Sequence, residues 1–266
     1  MGSAVSLRDD FDGAELRRLA KRSRDGPQSR RLLALAEIYD GGRRRDAARI
    51  GDDFLRGPHD LTIDAAGRLL VADSGNDRTL IFRLAGRKGQ WAGVWAGEQA
   101  SPEGVAAAAD GRVYVTNAGL DTVLALEKGR IVKRAGGRGR GENQYIRPHD
   151  IHVDGQGRIL VVDPGNNRIQ ILDRDLGFRS MLAGKAYGFY EPKYVTHDKD
   201  GMVYVADEYN NRVLVLDPSH TPVGVYGGVR GTGPGQLNKP EGVEAAGPKL
   251  WVSDTYNDRI LLLKRP

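Results

Sequence analysis

The 266 residues contain no cysteine, which removes disulfide frameworks, thiolate nucleophiles and Cys-ligated zinc. Thirty-six glycines and 12 prolines among only 39% hydrophobic residues suit many short strands broken by turns, and no stretch nears the roughly 18 apolar residues of a membrane span. The net charge of +5 is unevenly spread, with 13 Arg or Lys against 10 Asp or Glu up to Arg56 and 27 against 25 thereafter, so any pull on a polyanion belongs to the front of the chain.

The first residues, among them Arg8, Asp9, Asp10 and Asp12, lack the apolar core of a secretory signal, and a soluble cytoplasmic protein is expected. From Asp12 the pattern is helical. Asp12 and Glu15 make a capping-box-like start before Ala14 to Arg24, and Pro27 suits a first helical turn. Leu32, Leu33, Leu35, Ala36 and Ile38 form an apolar stripe ending at Gly41-Gly42, and Arg45 to Arg49 suits a third short helix. The Ala-, Leu- and Arg-rich phrases from Ala14, from Arg30 and from Asp46 to Gly51 resemble the helix-turn-helix front of insertion-sequence transposases. In that family a further helix enters the major groove, whereas here the chain passes at once to Asp52-Asp53-Phe54-Leu55. The resemblance therefore implies a truncated helix-turn-helix, with Arg17-Arg18, Arg30-Arg31 and Arg43 to Arg45 on a solvated face; nucleic acid is not expected as a partner. Residues 1–56 are set apart as this helical segment, and residues 57–266 as a second unit.

That second unit repeats. Pro58-His59-Asp60-Leu61 recurs at Pro102, Pro148, Pro192 and Pro240, at spacings of 44, 46, 44 and 48 residues. A second phrase keeps step with it: Asp73, Asn76 and Arg78, then Asp163, Asn166 and Arg168, Asp207, Asn210 and Arg212, and Asp254, Asn257 and Arg259. A period of about 40 to 50 residues fits one four-stranded propeller blade. In the fourth copy the strands are expected at Tyr194 to Thr196, Met202 to Ala206, Arg212 to Leu216 and Val223 to Tyr226. Such a sheet buries both faces only by stacking between neighbours around an axis.

The two phrases resemble the NHL repeat over roughly residues 57 to 266, which implies an all-β NHL-type β-propeller of five sequence repeats preceded by a short α-helical segment. The second copy departs, with Asn117, Leu120 and Thr122 in place of Asp, Asn and Arg, so blade 2 is expected to lack the contacts of that trio. The fifth copy stops at Leu261-Leu262-Leu263 without a fourth strand, and the segment Ile50 to Leu55 is the one available to supply it. NHL propellers commonly have six blades, so a five-bladed ring and a ring one blade short both remain open.

The residue after each proline leads into the innermost strand, which gathers His59, Glu103, His149, Lys193 and Glu241 at one channel mouth. The phrases Pro58-His59-Asp60 and Pro148-His149-Asp150 are similar to those of the peptidyl-hydroxyglycine amidating lyases, NHL-type propellers that hold zinc through one histidine on alternate blades. Alternation selects His59 and His149 and then Glu241, and a His-His-carboxylate set suits zinc or a similar divalent ion; Glu103 is the other carboxylate within the mouth. Equally, the two histidines can simply hydrogen-bond across the channel. The lyase resemblance further needs a tyrosine and an arginine, for which Tyr209, Tyr256 and Arg212 are available, although an arginine that recurs in four copies suits a scaffold. Gly136 to Gly141 and Gly227 to Gly235 open no helix after a strand and are read as interblade crossovers; His152, His197 and His220 are read as strand or turn residues. The leading expectation is a binding scaffold that takes a protein, peptide or small ligand at the mouth; the alternative is a metal-dependent lyase or hydrolase, and a weaker one is nucleic-acid binding through the basic helical front.

Overall fold

The computed structural model describes residues 49–50, 53–85, 88–95 and 97–265. The helical segments expected before Arg49, with their transposase resemblance, lie outside the described residues. At their boundary the structure corrects the sequence: Arg49 does not close a helix, because β1 (Arg49–Ile50) pairs antiparallel with β2 (Asp53–Phe54).

Five antiparallel sheets then follow in chain order, one per repeat. Blade 1 holds β3 (Pro58–Ile63), β4 (Arg68–Asp73), β5 (Arg78–Ala85) and β6 (Lys88–Trp95), and blade 2 holds β7 (Pro102–Ala107), β8 (Val113–Asn117), β9 (Thr122–Glu127) and β10 (Arg130–Gly136). Blade 3 comprises β11 (Ile151–Val153), β12 (Ile159–Asp163), β13 (Arg168–Leu172) and β14 (Phe178–Leu182); blade 4 comprises β15 (Pro192–His197), β16 (Val203–Asp207), β17 (Arg212–Leu216) and β18 (Pro222–Gly227). Blade 5 has three strands, β19 (Pro240–Ala246), β20 (Lys249–Asp254) and β21 (Arg259–Lys264). The five sheets make a five-bladed β-propeller. Among the described residues β2 pairs with β1 alone, so Asp53–Phe54 does not supply blade 5 with a fourth strand.

The repeated prolines hold equivalent places. Pro58 pairs with Asp73, Pro102 with Asn117, Pro192 with Asp207 and Pro240 with Asp254, each followed by a shift of register. Pro148 stands just before β11, where the His149 amide donates to the Val162 carbonyl at 2.9 Å. A proline has no N–H for the ladder, and the bulge behind it re-aims the next side chain, which is how the residue after each proline leaves the sheet for the mouth.

The second phrase builds the outer part of the same face. Asp73, Asp163, Asp207 and Asp254 are fully buried at the ends of their strands. One oxygen of each accepts from the Nε of Arg78, Arg168, Arg212 or Arg259 at 2.7–2.9 Å, and from the Asn three residues on at 2.8 Å. The other accepts the amide of Arg56, Ile146, Tyr190 or Asn238, which fixes the chain entering that blade. Next comes a residue in the left-handed region, at φ of 50° to 53°: Asp77, Asp121, Asn167, Asn211 or Asp258. Asp and Asn tolerate that conformation. The side chains of the first four accept the amide of the residue before the next blade's proline (Ser101, Arg147, Glu191 and Lys239) at 2.6–3.1 Å. Among the described residues, Asp258 makes no such bond to blade 1.

Blade 2 is corrected in part. It lacks the ion pair, but Asn117 keeps the entry bond by accepting the Ala100 amide at 2.5 Å, and it donates to the Glu98 carbonyl at 2.9 Å. Its 3₁₀ turn, Ala118–Leu120, survives intact. The glycine-rich stretches are crossovers as expected: Gly136 ends β10 and Gly227 ends β18, and both lead toward the next blade. Apolar layers fill the joints between successive blades, with Tyr114, Tyr145 and Ile159 between blades 2 and 3 and Tyr204, Leu237 and Leu250 between blades 4 and 5. Burying each such aliphatic side chain is worth roughly 1.5–3 kcal/mol. Among the described residues, no helix is long and apolar enough to cross a membrane.

Candidate binding and metal site at the channel mouth

The first three blades bring His59, Glu103 and His149 together, with one ligand atom of each within 4.8 Å of the others. The rings of His59 and His149 meet edge to face with centroids 5.6 Å apart, although they belong to blades 1 and 3. His149 Nε2 lies 3.8 Å from the Glu103 carboxylate, and Arg147 reaches the other Glu103 oxygen at 3.5 Å. Backbone contacts fix this geometry. Thr116 Oγ1 accepts the Gly104 amide at 2.6 Å and donates to the His149 carbonyl at 2.8 Å. A Cβ on Gly104 would stand 2.7 Å from the Ile151 nitrogen and 2.8 Å from the His149 oxygen, so glycine is what lets β7 approach blade 3. The aspartates of the Pro-His-Asp phrases stitch neighbouring inner strands, Asp60 accepting the Val105 amide and Asp150 the Val195 amide, each at 2.8 Å.

Glu241 is outside this group of three, although it feels the charges of Lys193 and His59. Burial, and then the nearby Glu208, push its carboxyl above the ordinary range. Lys193 bridges Glu208 at 3.4 Å and Glu191 at 3.8 Å. The mouth thus holds all five residues that the register gathered, with the carboxylate nearest the histidines coming from blade 2. Tyr209 and Tyr256 sit farther out, in the exposed 3₁₀ turns of blades 4 and 5, with Lys239 Nζ 4.0 Å from one ring centroid and 4.6 Å from the other. Arg212 belongs to the scaffold: it pairs with Asp207 and donates to the carbonyls of Tyr187 and Gly188.

One mouth residue was not singled out from the sequence. Tyr194 packs edge to face on His149, with centroids 5.2 Å apart, and its hydroxyl donates across the channel to the His59 carbonyl at 2.7 Å. The signal was in the register, since Tyr194 stands where the other copies carry Asp60, Gly104, Asp150 and Gly242. Of the remaining histidines, His152 and His197 lie in strands and share a hydrogen bond of 2.6 Å, and His220 lies in the turn before β18.

Burial, followed by the charges of Lys193, His59 and Arg147, lowers the His149 imidazole to about 3, so its ring is neutral. Its Nδ1 is buried and makes no hydrogen bond. Burial raises the Glu103 carboxyl, with His59, Arg147 and Lys193 opposing. Two imidazoles and a carboxylate, one imidazole neutral with an unpartnered buried nitrogen, are a fitting donor set for a divalent cation.

Residues 55–82 match the NHL repeat. NHL repeat-containing protein 3 of Mus musculus is 29% identical, over 55% of this chain and 49% of its own length. An uncharacterized protein of Sinorhizobium fredii (strain NBRC 101917 / NGR234), y4pG/y4sC, is 74% identical over 56 residues, which is 21% of this chain and 29% of that protein. The chain thus spans about half or less of these curated relatives. Among solved structures, that of a streptogramin B lyase superposes with a TM-score of 0.59 at 15% identity, covering 77% of this chain and 68% of the lyase. At that identity the likeness is one of fold.

Proposed function

We propose that this NHL propeller is a binding scaffold that takes a protein, peptide or small ligand at the mouth where the five inner strands begin. The observation that carries this reading is the contrast within the repeat. The buried Asp recurs in four blades, whereas the residue after the proline is His59, Glu103, His149, Lys193 and Glu241 in turn, of which the first three gather and Lys193 and Glu241 are near enough to bear on their charges. A position that varies between blades while its surroundings repeat is free of a duty to the blade. Exposed Tyr190, Tyr209 and Tyr256 add aromatic surface beside it. The test is a small-fragment library titrated into ¹⁵N-labelled protein. Amide shifts should cluster at residues 59, 103, 147, 149, 193 and 241; shifts confined to the opposite rim, around Asp64, Asp154 and Asp198, would refute the reading.

The grouping of His59, Glu103 and His149 favours a second reading, a divalent cation such as zinc held by these three and serving a lyase or hydrolase similar to the amidating lyases. Zinc bonded to two imidazole nitrogens at about 2.0–2.1 Å needs ligand atoms roughly 3.4 Å apart, so the trio would have to close by a small side-chain rotation. The ion would act as a Lewis acid on a ligand oxygen, while Tyr194 and Thr116 hold the histidines in place. Elemental analysis of protein purified without chelator should then give about one equivalent of metal, falling sharply in His149→Ala. Equal content in both proteins would leave the scaffold reading alone.

A further inference from the structure

A cavity of about 230 Å³ opens beside the mouth at the joint of blades 2 and 3, lined by Ser101, Ala118, Gly119, Asp121, Arg138 and Arg147. We propose that this cavity is an oxyanion subsite, in which Arg138 and Arg147 hold a carboxylate or phosphate of the ligand bound at the mouth. The proposal rests on the mouth reading and specifies the class of ligand.

The lining separates into parts that are occupied and parts that are not. The amides of Ala118 and Gly119 are bound to the carbonyls of Ser101 and Ala100. The Asp121 carboxylate accepts the Arg147 amide at 2.6 Å and Arg138 Nη1 at 3.3 Å, so its charge is offset from within the wall. The rest of the lining is Ser101 and two arginines, Arg138, whose Nη1 rests on Asp121, and Arg147. Both arginine side chains are largely exposed, at 70% and 73%, and the Arg147 link to Glu103 is a loose 3.5 Å. A planar guanidinium offers paired donors that match a carboxylate or phosphate edge, and charge-assisted bonds of this kind are the strong ones.

The repeat supplies an internal control. Asp121 and Arg147 occupy the same places as Asn167 and Glu191 at the next joint, and as Asn211 and Lys239 at the one after. The first position of each pair repeats its bond, but the second is an acid at one joint and a lysine engaged by Tyr209 and Tyr256 at the other. At the joint of blades 2 and 3 both basic side chains are arginines, and they border a cavity. The subsite adjoins Glu103, so an anion bound there would present the rest of its molecule to His59 and His149.

The test titrates inorganic phosphate and, separately, succinate into ¹⁵N-labelled protein at constant ionic strength, following the amides of Ser101, Gly119 and Arg147. Saturable shifts are expected with at least one of the two, and the tighter binder shows whether the subsite favours phosphate or carboxylate. Arg147→Gln and Arg138→Gln should each weaken binding by about tenfold or more, Arg147→Lys should weaken it less, and Arg179→Gln on the blade 3 rim should leave it unchanged. Melting temperatures establish that each variant is folded. Shifts that do not saturate, or equal affinity in Arg147→Gln and wild type, would overturn the subsite. If fragments still shift the mouth residues in that case, the binding reading survives without it; if the oxyanions bind here while fragments shift only the opposite rim, the subsite stands and the mouth reading falls.

Discussion

Two rings of side chains share one face of the propeller and follow opposite rules. The outer ring, Asp73, Asp163, Asp207 and Asp254, repeats one chemistry: a fully buried carboxylate whose oxygens are taken by an arginine, an asparagine and an incoming backbone amide. The inner ring, His59, Glu103, His149, Lys193 and Glu241, shares a backbone position and no chemistry. The outer ring holds the blades, and the inner ring is where this chain was at liberty to acquire a site.

The largest consequence of that division is expected at Asp163→Ala. Its partner Arg168 is 5% exposed, and the same guanidinium also donates to the carbonyls of Arg140, Gly141 and Gln144. Removing the carboxylate strands a buried charge, and denaturant unfolding should show a loss of about 3–5 kcal/mol. A loss below about 1 kcal/mol would mean that the outer ring is not what joins turn to blade.

A subtler case is Asn117→Asp, which restores the repeat's usual letter in blade 2. The carboxylate would arrive without an arginine, since residue 122 is Thr, and would face the Glu98 carbonyl to which Asn117 now donates. Stability should fall by about 1–3 kcal/mol, and the double variant Asn117→Asp/Thr122→Arg should recover part of it. Stabilisation by the single change would show that blade 2 departs from the pattern without compensation.

Much of this was legible in the sequence because the two phrases keep register over five copies. They located the strands of blade 4, the crossovers and the five inner-ring residues. What they could not convey was curvature. Counting alternate blades selects Glu241 beside the histidines and leaves Glu103 as the other carboxylate of the mouth; the group within ligand reach of one another is His59, Glu103 and His149. The joints were also hidden: nothing local reveals that Asp121 binds the amide of Arg147, 26 residues away. Asn117 was read as a loss because it is not Asp, yet the amide keeps the one acceptor contact that the turn requires.

A pH effect is expected away from both rings. Burial, and then the charge of Arg158, lower the His220 imidazole below its ordinary 6.5, while Asp154 and Asp217 oppose. Its Nε2 lies 3.1 Å from the Arg158 guanidinium and accepts from it only when unprotonated. The unfolded chain therefore takes up the proton more readily, so this contribution to stability is present above pH 6.5 and is lost as the pH falls toward the folded-state value. Urea midpoints measured from pH 7.5 down to 5 should decline, and His220→Gln should show a shallower decline; identical slopes would remove His220 from the explanation. Smallest of all, His59→Ala should alter stability by no more than about 0.5 kcal/mol, since the residue is exposed.

The division between the rings is tested most directly by a proteolysis-based stability scan of all substitutions at residues 59, 103, 149, 193 and 241 beside those at 73, 163, 207 and 254. Average losses below about 1 kcal/mol are expected at the first set and about 3–5 kcal/mol at the second. Equal losses at the two sets would make the inner ring part of the scaffold and remove the reason to regard the mouth as a site.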